Sequence, residues 1–243
     1  MEKQFSYGPV QEMHLTGYFE PEYPGSLTRT DQFQHPIYRL PPEDLRQTKR
    51  ADVYTALRGY ELAWLADPLD AYLLQVQGSG RIVADAGVLR VGYAGKNQAP
   101  YVSIGKILVE NGSIEKDKIS MQTIRDWANK HPRALPRLLA NNPSFVYFQK
   151  MQTPDHLGPI GTAGIPLTPM ASIAVDPDVI PLGTMVWISA PGINTLTIAQ
   201  DTGGAIKGAR IDLFTGTGSA AGEVAGMLNT TVVATVLQDK AGL

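Results

Sequence analysis

The spacing of hydrophobic and polar positions changes twice along this chain, and each change predicts a different kind of structure. The first forty residues are rich in Tyr, Pro and Gly, and "TGYFEPEYPG" at 16–25 reads as a strand end followed by turns. From Arg50 to Ala66, "RADVYTALRGYELAWLA", apolar residues recur at intervals of three and four. Asp67-Pro68 then supplies a stop, which predicts a helix. In "AYLLQVQGSGRIVAD", Tyr72, Leu74 and Val76 alternate with Leu73, Gln75 and Gln77, and Gly78-Ser79-Gly80 turns the chain back. That pattern predicts a hairpin with the two glutamines on a polar face. A strand at 88–94 and helices at 103–110, 121–130 and 134–140 complete an α+β middle section.

From Asn142 the pattern becomes a series of short strands: "SFVYFQ", "SIAVD", "TMVWIS", "TLTIAQD", "RIDLF" and "TTVVATVLQ", with a single helical stretch, "GSAAGEVAGML", at 218–228. Regularly spaced strands with little helix suggest a closed barrel, which removes exposed sheet edges. The change of pattern puts a domain boundary near residue 145.

Bulk properties narrow the function. With 243 residues, 43% hydrophobic and 18% charged, the composition is that of an ordinary globular protein. A formal net charge of −2, with "RQTKR" at 46–50 the only basic run, gives no electrostatic footprint for nucleic acid. The longest apolar fragments, such as "TTVVATVL" at 230–237, are too short for a transmembrane helix and read as strands. Zero cysteines exclude disulfides, thiolate nucleophiles and cysteine metal sites. The four histidines, His14, His35, His131 and His156, show no metal-ligand spacing, so no metal is expected; no cofactor is expected either.

Other motifs are weak. No G-x-S-x-G elbow is present, and Ser219 in "GTGSAAG" reads as a helix N-cap. Gly216, Gly218 and Gly222 lack the βαβ context of a dinucleotide loop. Three aspartates remain. Asp176 and Asp201 each close an apolar strand before turn residues, where an Asx turn competes with chemistry as the explanation. Asp212 lies inside "ARIDLF", between Ile211 and Leu213, where β-propensity disfavours aspartate. If its neighbours face the core, Asp212 faces outward or into a groove.

Six blocks, in order, carry a family resemblance: "TGYFEP" (16–21), "LQVQGSGR" (74–81), "VGYAGKNQAPYVSIGK" (91–106), "NPSFVYF" (142–148), "GTAGIPLTPMASIAVDPDVIPLG" (161–183) and "AQDTGGAIKGARID" (199–212). Together they make the chain similar to the membrane-bound lytic transglycosylase A (MltA) family of bacterial cell-wall enzymes. The last block resembles the module named 3D for its three aspartates, matched here by Asp176, Asp201 and Asp212.

The resemblance implies a mainly β fold with an α+β insert. A double-psi β-barrel like those of barwin and endoglucanase V would comprise residues 1–19 and 145–243, with the 3D module at about 160–240, and the insert would span 20–144. A groove between the domains would hold a peptidoglycan glycan strand. Members usually carry a signal peptide and often a lipid anchor. The opening "MEKQFSYGPVQEM" has no basic-then-apolar pattern, as expected of a protein trimmed to its mature part, and the implied location is the periplasm or cell envelope. Gln98 stands where members commonly have a glycine.

The implied reaction cleaves the β-1,4 bond between N-acetylmuramic acid and N-acetylglucosamine, with the muramyl O6 closing a 1,6-anhydro ring. The resemblance assigns Asp212 as acid and then base, with Asp201 as the neighbouring charge that raises its proton affinity. It assigns Tyr18, Glu20, Gln75, Gln77, Tyr93, Asn97, Asp176, Gly203, Gly204 and Lys207 to substrate binding. Gln75 and Gln77 offer the donor and acceptor pairs that sugars need, Tyr18, Phe19 and Tyr93 offer apolar platforms, and the glycines allow close backbone approach. Lys207 would position Asp201 or meet a lactyl carboxylate. Two rival readings are an inverting hydrolase with a carboxyl pair roughly 6.5–9.5 Å apart and a non-catalytic, expansin-like wall-binding protein.

Overall fold

A computed structural model of the chain describes residues 5–154 and 156–239. In chain order the elements are β1 (Phe5–Glu20), β2 (Glu22–Ser26), β3 (His35–Tyr38), α1 (Val53–Ala56), β4 (Glu61–Leu65), α2 (Pro68–Gln77), β5 (Gly80–Ala84), β6 (Gly87–Lys96), α3 (Ile104–Glu110), α4 (Met121–Lys130), α5 (Leu135–Ala140), β7 (Val146–Lys150), β8 (Ser172–Ala174), β9 (Met185–Ala190), β10 (Ile193–Asp201), β11 (Arg210–Thr217), α6 (Gly218–Met227) and β12 (Asn229–Asp239). The chain divides into two compact units at 20/21 and 152/153.

The first unit is a closed barrel with strand order β1-β11-β8-β10-β9-β12, the six-stranded double-psi architecture implied by the resemblance. Alternation along each strand fills its interior. Met13 and Leu15, Ile173, Val186 and Ile188, Ala199, Ile211 and Leu213, and Val232 and Ala234 form one buried core. Residues between these positions point outward. β1 is long enough to pair antiparallel with β12 and parallel with β11 along its length.

α6 lies against β1 and β11. A Cβ on Gly17 would sit 2.7 Å from Ala225 Cα, so any larger residue there would push the helix off the strand. The N-cap of α6 is Thr217, not Ser219. Its side chain makes no cap bond and donates instead to Glu20 Oε2 at 3.0 Å.

The second unit is a six-stranded sheet, β3-β4-β2-β5-β6-β7, covered by helices. Three expectations are corrected here. Residues 50–66 are not one helix. A 3₁₀ turn and α1 end at a left-handed Gly59 (φ 88°), and β4 follows with Ala63 and Leu65 inward. Residues 72–77 are helix rather than strand. Asp67-Pro68, read as a stop, starts α2: Asp67 accepts from Leu69 N at 2.8 Å, and Pro68 occupies the first turn. This helix is apolar on both sides, because Leu69, Tyr72 and Leu73 pack on α3–α5 while Ala71 and Leu74 pack on the sheet. That two-sided burial hides the helical period.

The third correction is the boundary expected at 144/145. β7 pairs antiparallel with β6 through Tyr93↔Phe148, and Tyr147 and Phe148 are buried in this unit's cores. The chain therefore leaves the inserted unit at 152/153, about one strand later than the change of pattern suggested. The predicted helices at 103–110, 121–130 and 134–140 correspond to α3, α4 and α5.

Candidate active site

Strand register brings two of the three aspartates together. β8 lies between β10 and β11, and its Ala174 is the register partner of both Asp201 and Asp212. The two carboxylates therefore stand at the same level of the barrel, one on each side of a short strand. Ile211 and Leu213 face the core, so Asp212 faces outward. On its other side β1 sets Thr16 opposite Asp212, and Tyr18, two residues along, shares Thr16's face.

Side chains join these positions. Thr16 Oγ1 donates to Asp212 Oδ1 at 2.8 Å, and Arg210 Nη2 donates to Thr16 Oγ1 at 3.2 Å. Tyr18 Oη donates to Asp201 Oδ2 at 2.9 Å, with its ring tilted against Phe214 at 5.4 Å between centroids. Thr162 donates to Asp201 Oδ1 twice, from its backbone N and from Oγ1, each at 2.9 Å. Burial first, and then the charge of Asp201, push the Tyr18 phenol well above its usual range, so it stays protonated as a donor.

The Asp212 carboxyl is raised from 3.8 to about 6. Desolvation by the surrounding protein is the largest cause. The Thr16 hydrogen bond and the Arg210 charge pull the other way, and the Asp201 charge adds a smaller upward push. The expectation gave the Asp201 charge as the cause, and desolvation outranks it. A carboxyl that titrates near neutrality in a half-buried position can hold a proton and release it within one reaction cycle.

The same shift has a cost in stability. Because Asp212 binds its proton more tightly folded than unfolded, its favourable contribution is complete below 3.8 and is lost as pH rises through about 6. Asp212→Asn removes that penalty. Its stability advantage over the parent is expected to grow by about 1–3 kcal/mol across this window. Urea unfolding on both sides of the window checks this, and a difference that did not change with pH would contradict it.

Asp176 plays a different part. It is buried at 7% exposure, caps its own turn through Asp178 N (3.3 Å to Oδ1), and accepts from Gly208 N at 2.9 Å. The Gly208 hydrogen bond is the main reason its carboxyl is held below the usual range. Gly208 adopts φ 63°, a conformation that favours glycine, and so aims its N–H at Asp176. The loop between β10 and β11 is thereby tied down beside Asp201 and Asp212.

Comparison with known proteins decides what kind of chain holds this site. The profile of the MltA-specific insert domain matches residues 14–57 and 46–149, and that of the 3D domain matches residues 171–238. The chain belongs to the membrane-bound lytic transglycosylase A family. It is 39% identical to the Escherichia coli K12 membrane-bound lytic murein transglycosylase A over 94% of its own length, and spans 66% of that protein, slightly under two thirds. The crystal structure of E. coli MltA with bound chitohexaose superposes with a TM-score of 0.88 at 36% identity, covering 94% of this chain and 72% of that one. A membrane-bound lytic murein transglycosylase from Agrobacterium tumefaciens gives a TM-score of 0.86 at 31% identity, covering 95% and 75%.

Within this MltA-family chain the remaining expected site residues fall into two groups. In the barrel unit, Glu20 ends β1 at 1% exposure and is bonded by Thr217. The exposed Lys207 places its Nζ 3.8 Å from Oδ1 of the buried Asp176, so its partner is Asp176 and not Asp201. A Cβ on Gly203 would come within 2.8 Å of Ile206 in its own loop, whereas Gly204 faces open space.

The inserted unit holds the others. Gln75 is buried on α2, not on a strand, and its Oε1 accepts from Arg50 at 2.9 Å. Asn97 is 2% exposed and ties backbone together, donating to Pro143 O at 2.9 Å and accepting from Phe145 N at 2.8 Å. Both make hydrogen bonds within the inserted unit. Gln77 ends α2 and is half-buried, while Tyr93 is 51% exposed on β6.

Sequence reading missed Thr16, Thr162 and Arg210. Thr16 and Arg210 were legible in principle, since each stands two residues from a residue already singled out, Tyr18 and Asp212, on the same strand face. Thr162 comes from a loop 39 residues before Asp201, and no local pattern marks it.

Proposed function

We propose that this chain is a peptidoglycan lytic transglycosylase of the bacterial cell envelope, with Asp212 as its single acid and base. The observation that carries the reading is the asymmetry of the two carboxylates. Asp212 is a half-buried group titrating near 6 with one donor on one oxygen, whereas Asp201 is held by three donors across both oxygens. In the first step protonated Asp212 gives its proton to the glycosidic oxygen as the C1–O bond breaks. In the second, ionised Asp212 takes the proton of the muramyl O6 hydroxyl as O6 bonds to C1. The acid is regenerated, no water is consumed, and the product ends in a 1,6-anhydro ring.

Asp201 is poorly suited to be the base of an inverting hydrolase. Three of a carboxylate's roughly four acceptor sites are already taken by Tyr18 and Thr162, which leaves little to activate a water. Beside Asp212 it adds a smaller upward push to that carboxyl's proton affinity, behind desolvation. That an E. coli relative binds chitohexaose supports a β-linked N-acetyl sugar chain as ligand.

The test is the pH dependence of product release from purified peptidoglycan. The reading requires kcat/KM to fall on the alkaline side with an apparent pKa near 6, as the general acid loses its proton. Anhydro-muropeptides, each lighter than its hydrolytic counterpart by one water, must be the products. Binding of the sacculus with no soluble product would make the chain a wall-binding protein.

A further inference from the structure

We infer that Arg210 is a positioning residue that acts through Thr16 to decide which oxygen of Asp212 carries the reacting proton. The inference rests on the assignment of Asp212 made above. A threonine hydroxyl has one hydrogen to give and lone pairs to receive, while a guanidinium has only donors. The Arg210–Thr16 contact at 3.2 Å therefore runs from Nη2 to Oγ1. With that lone pair occupied, the hydroxyl hydrogen is directed to Asp212 Oδ1 at 2.8 Å. An oxygen already accepting a hydrogen bond is the wrong place for the acid's proton. The proton belongs on Oδ2, which has no hydrogen-bond partner among the described residues.

A second observation makes the arginine more than a surface residue of β11. Its Nε is buried with no hydrogen-bond partner, an arrangement that folded proteins generally avoid. Its other contact, Nη1 to Ala205 O, is long at 3.5 Å. The cation is held against β1 at the expense of one unsatisfied donor, and the interaction gained there is with Thr16.

The charged and titratable groups that the surrounding elements carry around this site include Glu12, His14, Tyr18 and Glu20 on β1, Asp201 on β10, Glu223 on α6, and the Asp176–Lys207 pair; β8 has none. Among these, Asp201 raises the proton affinity of Asp212, and Arg210, on Asp212's own strand, lowers it. Arg210 thus sets both where the proton sits and how readily it leaves.

The experiment compares Arg210→Met, Arg210→Lys, Thr16→Val, Thr16→Ser and the Arg210→Met/Thr16→Val double variant with the parent and with Asp212→Asn, on purified peptidoglycan across pH. Arg210→Met and Thr16→Val are each expected to lower kcat by at least about tenfold with little change in KM. The double variant is expected to lose no more than the worse single one, because both act through one hydroxyl. Arg210→Met moves the alkaline limb to higher pH, Arg210→Lys returns it toward the parent, and Thr16→Ser keeps the rate. Thermal melts establish that each variant is folded. If Arg210→Met fails to fold, the contrast between Thr16→Val and Thr16→Ser, with the limb position of Arg210→Lys, decides the matter. Losses that multiply in the double variant overturn the relay. So does a parental rate and alkaline limb in Arg210→Met while Asp212→Asn is inactive. An active Asp212→Asn overturns the assignment of Asp212 and the relay together.

Discussion

Asp212→Asn is expected to lower the release of anhydro-muropeptides by about 10²–10⁴-fold, the range usual for loss of a general acid and base, while leaving glycan binding nearly intact. The asparagine carbonyl can still accept the Thr16 hydrogen bond that Asp212 Oδ1 accepts in the parent, so the barrel surface keeps its shape and only the titrating proton is lost. The proposed mechanism has no second proton carrier. Asp201 is engaged by Tyr18 and twice by Thr162, and Tyr18 is held protonated. A quantitative muropeptide digest checks the loss, and more than a tenth of the parental rate would remove Asp212 from the chemistry.

Arg50→Ala is expected to destabilise the inserted unit by about 3–5 kcal/mol, the largest stability effect we anticipate at a single side chain. Arg50 Nε donates to Asn142 O at 2.6 Å and Nη2 donates to Gln75 Oε1 at 2.9 Å and to Ser144 O. The guanidinium also lies over Tyr72 at 5.2 Å and Phe145 at 5.0 Å. Burial lowers its pKa to about 10, still cationic near neutrality. Truncation strands three acceptors and opens the space between two aromatic rings. Arg50→Lys should recover little, since an ammonium cannot reproduce the planar fork. Denaturant unfolding followed by hydrogen exchange in α2 and around 142–145 measures the effect, and a loss under about 1 kcal/mol would show that the fork is not structural.

Arg50 also bears on the expectation that Gln75 and Gln77 share one strand face, which the helix does not keep. Gln75 and Gln77 looked like paired sugar ligands because "LLQVQ" was read with period two. On a strand both would face one side, but on α2 they point apart, and Gln75 turns inward to Arg50. The period was hidden because α2 is covered on two sides, so its apolar positions trace no single stripe. Where one face alone is buried, as in α4 and in the barrel strands, pattern and structure agree. Ile211 and Leu213 inside and Asp212 outside could be read directly from "RIDLF".

The chemistry of the site was only partly legible for a related reason. Asp212 stood out because it breaks local preference, and Tyr18 through its block. The partners that tune them come from strand register and from a distant loop. Nothing in "TGYF" says that Thr16 lies opposite Asp212, nor in "GTAG" that Thr162 will meet Asp201. Lys207 shows the converse: adjacency in sequence to the Asp201 turn suggested a pairing that the fold gives to Asp176.

The most direct test of the central claim is digestion of purified peptidoglycan in heavy-oxygen water, followed by mass analysis of the released ends. An intramolecular attack by O6 takes no oxygen from solvent, so anhydro-muropeptides without label are the expected product. Labelled reducing ends, each heavier by one water carrying the heavy isotope, would show that water is the nucleophile and would contradict it.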